Sequence, residues 1–169
     1  MAAVDREKIA AQLVFHEGLV LAAYLCPTGH LTVGVGHNLE ADPALDVLGR
    51  RIANVGESIN AEEAKRLLQR DLDRCVVELN GFAWFTALTQ PRQHVLVDMV
   101  FNLGMSRFRA FKNMLLALER GDFRRAAGEM ADSRWAQQVP QRAARLVRMM
   151  SENVAFEQIV GVDSLPRTT

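Results

Sequence analysis

The spacing of apolar residues changes along the chain, and this change constrains the fold more than any other feature. At the N-terminal end, Ile9, Leu13 and Glu17 recur at four-residue intervals within residues 5–17. This interval is typical of one face of a helix, and Gly18 is a suitable residue to end it. The sequence therefore predicts a first helix that carries a glutamate at its C-terminal end.

The spacing then becomes that of β-structure. Within residues 19–35, two β-rich runs flank the sequence CPTG at 26–29, which has proline and glycine where a turn needs them. In the second run Leu31, Val33 and Val35 alternate with threonine and glycine. We therefore expect a hairpin or a small sheet directly after the first helix.

The rest of the chain is predicted to be helical after one loop. Residues 36–58 are rich in turn-forming residues and predict a loop with at most one short helix. Asn60 and Glu63 form a capping pair for a long helix that ends at residues 80–81. Residues 95–103 are apolar almost all round, which predicts the buried central helix of a bundle.

This order predicts an α+β fold that is mainly α. With 169 residues, of which 49% are hydrophobic, the chain can form one domain over residues 1–169. We expect a small β-containing lobe at about 15–60, a linking helix at about 60–80, and a helical lobe at about 82–160 that includes the first helix. A groove between two such lobes is a common place for a ligand.

Composition limits the partner and the cofactor. Twenty basic and twenty acidic residues argue against a dedicated nucleic-acid-binding protein, because phosphate contacts need clustered positive charge. The four histidines lack metal-ligand spacing and no glycine-rich phosphate loop precedes a helix, so we expect neither a metal nor an organic cofactor. Cys26 and Cys75 show no disulfide pattern and predict free thiols.

Glu17 is the first candidate for chemistry. A carboxyl group shielded from water keeps its proton more readily, as a general acid requires. Composition alone favours an ordinary glutamate at a helix end, so the surrounding pattern has to decide between these two interpretations.

Three separated stretches supply that pattern. They are residues 17–37, which run from Glu17 to TVGVGH at the end of the hairpin, residues 99–104 (MVFNLG), and residues 133–145, which contain SRW and two later arginines. Together with Asp71, they resemble the phage-type (T4-like) lysozymes over about residues 9–150. This resemblance implies a lysozyme-like fold and a glycoside hydrolase that cleaves the sugar backbone of bacterial peptidoglycan.

The resemblance also implies roles for individual residues. Glu17 matches the catalytic glutamate, which protonates the departing glycosidic oxygen. Arg142 matches the arginine that pairs with it, and Thr32 matches a threonine beside the attacking water. A neighbouring cation favours an ionised carboxylate whereas burial favours the protonated form, and the sequence does not decide between them at this site.

Further roles concern the hairpin, the long helix and the groove. The resemblance implies a structural ion pair between His37 and Asp71. It places Phe101, Asn102 and Asn38 along the sugar-binding groove, although the first two are also suitable packing residues.

Cys26 departs from the family pattern, because much of the family has an aspartate at this position. Three interpretations stay open. The thiol is a working substitute, as thiolate base or nucleophile, or it is a passive turn residue while Glu17 and Thr32 suffice. Alternatively, the site is degenerate. The stereochemical course depends on how far the second group lies from the acid.

A second departure is Thr28, where relatives can carry an acidic residue facing the arginine that corresponds to Arg134. The absence of an acid at this position predicts the loss of one contact between the lobes and a more open cleft. His30 lies one residue beyond the turn glycine and is expected to be exposed.

The leading hypothesis is a muramidase that cleaves the β-1,4 bond between N-acetylmuramic acid and N-acetylglucosamine during phage or prophage lysis. The alternatives are a catalytically impaired peptidoglycan-binding or tail-associated module, and a hydrolase or transglycosylase acting on a related polymer such as chitin. No apolar run is long enough for a signal sequence or a membrane span. We therefore expect synthesis in the host cytoplasm and no stable membrane insertion. We also expect a monomer that reaches the wall through a separate export route or a holin-like helper.

Overall fold

The structure is a computed structural model that describes residues 3–166. Helices form most of it and a small antiparallel sheet lies near the N-terminus, which confirms the predicted α+β class. In chain order the elements are α1 (Arg6–Glu17), β1 (Val20–Leu25), β2 (Leu31–Gly34), β3 (His37–Asn38), α2 (Leu45–Leu48), α3 (Ala61–Leu79), α4 (Gln90–Leu103), α5 (Met105–Phe108), α6 (Lys112–Glu119), α7 (Phe123–Ala131), α8 (Arg134–Gln138), α9 (Pro140–Glu152) and α10 (Phe156–Val160), with 3-10 turns at Phe85–Ala87 and Val162–Ser164.

Local capping fixes both ends of α1. The side chain of Asp5 accepts a hydrogen bond from the backbone N–H of Lys8 at 3.1 Å, which caps the first turn. At the other end Gly18 has a φ of 76°, and its N–H donates to the carbonyl of Val14 at 2.9 Å. The chain then enters β1 almost at once. Glu17 is therefore the last helical residue before the sheet.

The three strands lie in the order β1, β2, β3, so the predicted hairpin is part of a small sheet. Thr32 on the central strand pairs with Tyr24 on one side and with Asn38 on the other. In the turn, the carbonyl of Cys26 accepts from the N–H of Gly29 at 2.8 Å. Gly29 has a φ of 85°, a region that favours glycine.

The long helix α3 begins with the predicted capping box. The Asn60 side chain accepts from the Glu63 N–H, and the Glu63 carboxylate accepts from the Asn60 N–H, both at 2.8 Å. On the same helix Cys75 is buried, and burial raises the pKa of its thiol to about 12. Cys75 is therefore a core residue, and both cysteines are free.

The apolar side chains form two clusters, and α3 contributes to both. Leu67 packs into the smaller cluster with side chains of the sheet and of the loop that follows it, among them Val33. Leu68 and Leu72 pack into the larger cluster, which contains side chains from α1, α4 and the C-terminal helices. Helix α3 therefore packs against both clusters.

Helix α4 runs through the larger cluster, as the sequence predicts for a central helix. Every residue from 93 to 100 is buried. Two ionisable side chains, His94 and Asp98, lie within this buried stretch. Within residues 3–166, no helix combines the length and the apolar character needed to cross a bilayer.

We predict that His94 makes the fold sensitive to acid. Burial lowers the pKa of His94 from 6.5 to about 4. Between these two pH values the unfolded chain therefore binds a proton that the folded chain does not bind. Stability is therefore fully present above about pH 6.5 and falls as the pH drops towards 4. When the pH is lowered from about 7 to about 4.5, the free energy of unfolding should fall by about 2 to 3 kcal/mol less in His94→Leu than in the parent. Urea unfolding at the two pH values measures this difference.

The exposed His30 supplies the control for this comparison. His30→Gln removes a histidine without removing the buried imidazole, so it is expected to retain the acid sensitivity of the parent. Equal acid sensitivity in His94→Leu and the parent would show that the buried imidazole does not cause it.

Candidate active site

Glu17 lies at the junction of α1 and the sheet, with its carboxyl group at the edge of the protein interior. Its side chain is 22% exposed, and its Oε1 accepts a hydrogen bond from Nη1 of Arg142 at 2.5 Å. Gly36 lies against the same carboxyl group, because a Cβ added to this glycine would be 3.2 Å from Oε2 of Glu17. Gly36 also has a φ of 67°. The backbone conformation therefore favours glycine here, and a larger residue would press against the Glu17 carboxyl group.

Arg142 belongs to a buried polar cluster beneath Glu17. Its Nε donates to Oδ1 of Asp98 at 2.6 Å, and the arginine and aspartate side chains are 8% and 0% exposed. The other oxygen, Oδ2 of Asp98, contacts Nε2 of Gln12 at 2.7 Å and Nδ1 of His16 at 2.9 Å. We call Gln12, His16, Asp98 and Arg142 the Asp98 cluster.

Opposing effects set the charges in the Asp98 cluster. Burial raises the pKa of Asp98, but the charge of Arg142 and the hydrogen bond from His16 outweigh burial and lower it below its usual value. Burial lowers the pKa of Arg142, and the charges of Asp98 and Glu17 outweigh that effect and raise it. Both groups are therefore ionised at neutral pH.

Gln12, His16 and Asp98 are site residues that the sequence patterns do not predict. Two signals were available. Gln12 and His16 lie four residues apart on one helix and so share a face. Asp98 is a charged residue inside an otherwise apolar central helix, and such a residue needs a buried partner.

Cys26 lies at the start of the hairpin turn, where its Sγ is 3.1 Å from Oγ1 of Thr28. Hydrogen bonds lower the pKa of this thiol to about 7, the largest effect coming from the Thr28 hydroxyl. The backbone of His30 and the hydroxyl of Thr32 add to the effect. About half of the thiol is therefore ionised at neutral pH. The ring of His30 contacts Glu40 at 2.8 Å, so its main ionic partner is this carboxylate.

Tyr24 lies within electrostatic reach of both Glu17 and Cys26. Burial raises the pKa of its phenol, and the negative charges of Glu17 and Cys26 raise it further. On the paired strand, Thr32 is buried and its hydroxyl donates to the carbonyl of His30 at 2.9 Å. Glu17 and Cys26 therefore both act on Tyr24, and the Thr32 hydroxyl acts on Cys26.

His37 and Asp71 connect the hairpin to α3. Nδ1 of His37 lies 2.6 Å from Oδ2 of Asp71, and Nε2 lies 2.8 Å from the carbonyl of Asp42. Burial lowers the pKa of His37, but the hydrogen bond and the charge of Asp71 outweigh burial and raise it. A protonated ring donates to both acceptors, so this pair orients the sheet relative to the long helix.

The residues expected along the groove have partners within the protein. Oδ1 of Asn102 accepts from the indole N–H of Trp135 at 2.8 Å, and Phe101 is partly buried against the larger cluster. Oδ1 of Asn38 accepts from two backbone N–H groups of the turn that follows it. All three side chains are partly buried and are held by contacts within the protein.

Arg134 begins α8 and is exposed. Across residues 3–166, no ion pair involves Arg134, and the hydroxyl of Thr28 contacts Cys26 instead. Over the same residues, no three His, Cys, Asp or Glu side chains come together as a metal site.

Comparisons with known proteins show which family the chain belongs to. The sequence model of the family described as phage lysozyme matches residues 14–151. Over 157 residues the chain is 32% identical to the pre-baseplate central spike protein Gp5 of Enterobacteria phage T4. This match covers 84% of the present chain but only 27% of the spike protein.

Two further relatives match larger shares of their own length. Probable T4-type lysozyme 2 of Dictyostelium discoideum is 26% identical over 160 residues, covering 86% of this chain and 94% of that protein. An endolysin of Acyrthosiphon pisum secondary endosymbiont phage 1 is 32% identical over 114 residues, covering 68% of each. The family model matches more than half of the residues of this chain, and the chain therefore belongs to the phage lysozyme family.

Proposed function

We propose that this protein is a muramidase that hydrolyses the β-1,4 bond between N-acetylmuramic acid and N-acetylglucosamine in bacterial peptidoglycan. One observation supports this function above all others. The Glu17 carboxyl group is partly exposed at the junction of α1 and the hairpin, beside a buried arginine, and Tyr24 lies within electrostatic reach of both Glu17 and a second ionisable group, Cys26. A glycosidase needs two such groups, one on each side of the bond that it breaks.

In the proposed reaction, protonated Glu17 donates its proton to the glycosidic oxygen as the bond between that oxygen and the sugar C1 breaks. The sugar acquires oxocarbenium character, and a water oxygen forms the new bond to C1. The proton of that water passes to a base on the other side of the ring. Glu17 is left ionised, with Arg142 beside it to stabilise the carboxylate until a solvent proton restores the acid.

Cys26 is proposed as the second group. A thiol that is about half ionised at neutral pH can accept the proton of water, or it can attack C1 directly. The two routes give different products, because a base leads to inversion at C1 and a nucleophile to retention. Proton NMR of the first sugar product therefore identifies the role of the thiol.

We predict that Cys26 gives the hydrolysis rate a pH dependence centred near its pKa of about 7. Cys26→Ser should lower the rate by roughly a hundredfold, because a serine hydroxyl is not ionised in this range. Cys26→Asp should preserve hydrolysis and move the acidic limb of the profile well below pH 7, since a carboxylate ionises earlier. The measurement is release of dye from labelled peptidoglycan across about pH 5 to 9.

The buried Cys75 provides the matched control for the thiol. Cys75→Ala leaves the turn untouched and is expected to retain the pH profile of the parent, at some cost in stability. If Cys26→Ser hydrolyses peptidoglycan as fast as the parent, the thiol is a bystander and Glu17 with Thr32 suffices.

Product analysis tests the proposed function directly. Purified peptidoglycan is digested with the protein, and the fragments are separated and identified by mass spectrometry. A muramidase leaves N-acetylmuramic acid at the new reducing ends. A transglycosylase leaves the anhydro sugar instead, and cleavage of chitin oligomers in preference to peptidoglycan would assign a different polymer.

A second candidate function is a peptidoglycan-binding or tail-associated module without hydrolysis. The similarity to the T4 spike protein favours it, because this chain matches only one segment of that larger protein. A protein that sediments with peptidoglycan but releases no fragments would support this candidate and exclude the muramidase.

A further inference from the structure

Arg142 carries one positive charge and contacts two carboxylates. Its Nε lies 2.6 Å from Asp98, and its Nη1 lies 2.5 Å from Glu17. Asp98 is completely buried, whereas Glu17 is partly exposed. The two carboxyl groups therefore compete for the same cation from different environments.

The charges of Asp98 and Arg142 balance each other without Glu17. Asp98 contributes one negative charge and Arg142 one positive charge. A buried cation needs a counter-ion, and here a second buried residue supplies it. If Asp98 were uncharged, only an ionised Glu17 could balance Arg142.

We propose that Asp98 is a positioning residue that neutralises Arg142 and thereby lets Glu17 carry the proton that the reaction consumes. This inference rests on the proposed function of Glu17 as an acid. Asp98 does not touch the substrate in this account. It acts through Arg142, which fixes the place of the Glu17 carboxyl group while its charge is already balanced.

The remaining contacts of Asp98 keep it ionised and in place. Gln12 donates an N–H to Oδ2, and His16 in the tautomer that carries a proton on Nδ1 donates another to the same oxygen. Both donors come from α1, the helix that ends in Glu17. The same two side chains therefore orient the buried carboxylate and the helix that presents the acid.

Other ionisable groups around Glu17 act in the same direction as Asp98 or are already balanced. Tyr24 on β1 and Cys26 in the turn are either neutral or negatively charged. A negative charge on either side chain also favours a protonated Glu17 carboxyl group. On α1, His16 faces Asp98. On α9, Arg142 is the cation whose effect Asp98 offsets.

The proposal is tested by carbon-13 NMR titration of the side-chain carboxyl groups in the full chain. In the parent, the Asp98 carboxyl signal should stay at its ionised position while Glu17 titrates. In Asp98→Asn, which keeps the shape and the hydrogen-bond acceptor, the Glu17 midpoint should move at least about one pH unit lower, because Arg142 is left with Glu17 as its sole counter-ion. The basic limb of the hydrolysis profile should move in the same direction.

Asp132→Asn is the matched control, since it removes the same charge from an exposed position. It should leave the Glu17 midpoint unchanged. An unchanged midpoint in Asp98→Asn would overturn the inference even with full hydrolysis. Uptake of the proton by Asp98 before Glu17 in the parent would also overturn it, and this measurement needs no variant to fold. A parent that does not hydrolyse peptidoglycan but shows the expected titrations would overturn the proposed function alone.

Discussion

Glu17→Gln is expected to lower the rate of peptidoglycan hydrolysis by roughly a hundredfold to ten-thousandfold, which is the range attributed to one acid-base group. Glutamine matches glutamate in size, and its side-chain oxygen can still accept the hydrogen bond from Arg142. It has no proton to give to the glycosidic oxygen. The variant should therefore bind peptidoglycan and fold normally while releasing almost no soluble fragments.

Two measurements make this result specific to the acid. Circular dichroism and the Tm should match those of the parent within a few degrees, which excludes unfolding as the cause. Glu7→Gln changes an exposed glutamate on the same helix and should retain the parental rate. A Glu17→Gln variant that hydrolyses peptidoglycan at the parental rate would remove Glu17 from the reaction.

Arg142→Met is expected to lower the free energy of unfolding by about 3 to 5 kcal/mol, the range for removing one partner of a buried ion pair. The substitution leaves Asp98 fully buried without its cation. Methionine fills a similar length of the interior, so lost packing contributes little to the effect. Urea unfolding at neutral pH measures the change.

A double variant separates charge from shape. Asp98→Asn combined with Arg142→Met removes the stranded charge and should recover part of the lost stability, although the hydrogen bond from Arg142 is still missing. Arg148→Met is the control on the same helix, because its ion pair with Glu152 is exposed and is expected to contribute at most about 1 kcal/mol. A loss in Arg142→Met no larger than in Arg148→Met would contradict the buried ion pair.

Much of the local structure follows from short stretches of sequence. Gly18 ends α1, residues 26–29 form the hairpin turn, and Asn60 with Glu63 caps α3, as predicted. Each of these features depends on backbone conformation and hydrogen bonds within a few residues. The family resemblance likewise predicts that Arg142 pairs with Glu17, and the two side chains are in contact.

Only the tertiary structure brings the residues of the Asp98 cluster together. Its hydrogen bonds join residues that lie 44 to 125 positions apart when Glu17 is included. The sequence carries the residue types, but it does not say that α1, α4 and α9 pack together so that one guanidinium reaches two carboxylates. The sequence therefore determines where helices and turns begin and end. The packing of distant helices determines the charge that surrounds Glu17, because electrostatic interactions depend on distance in space and on burial.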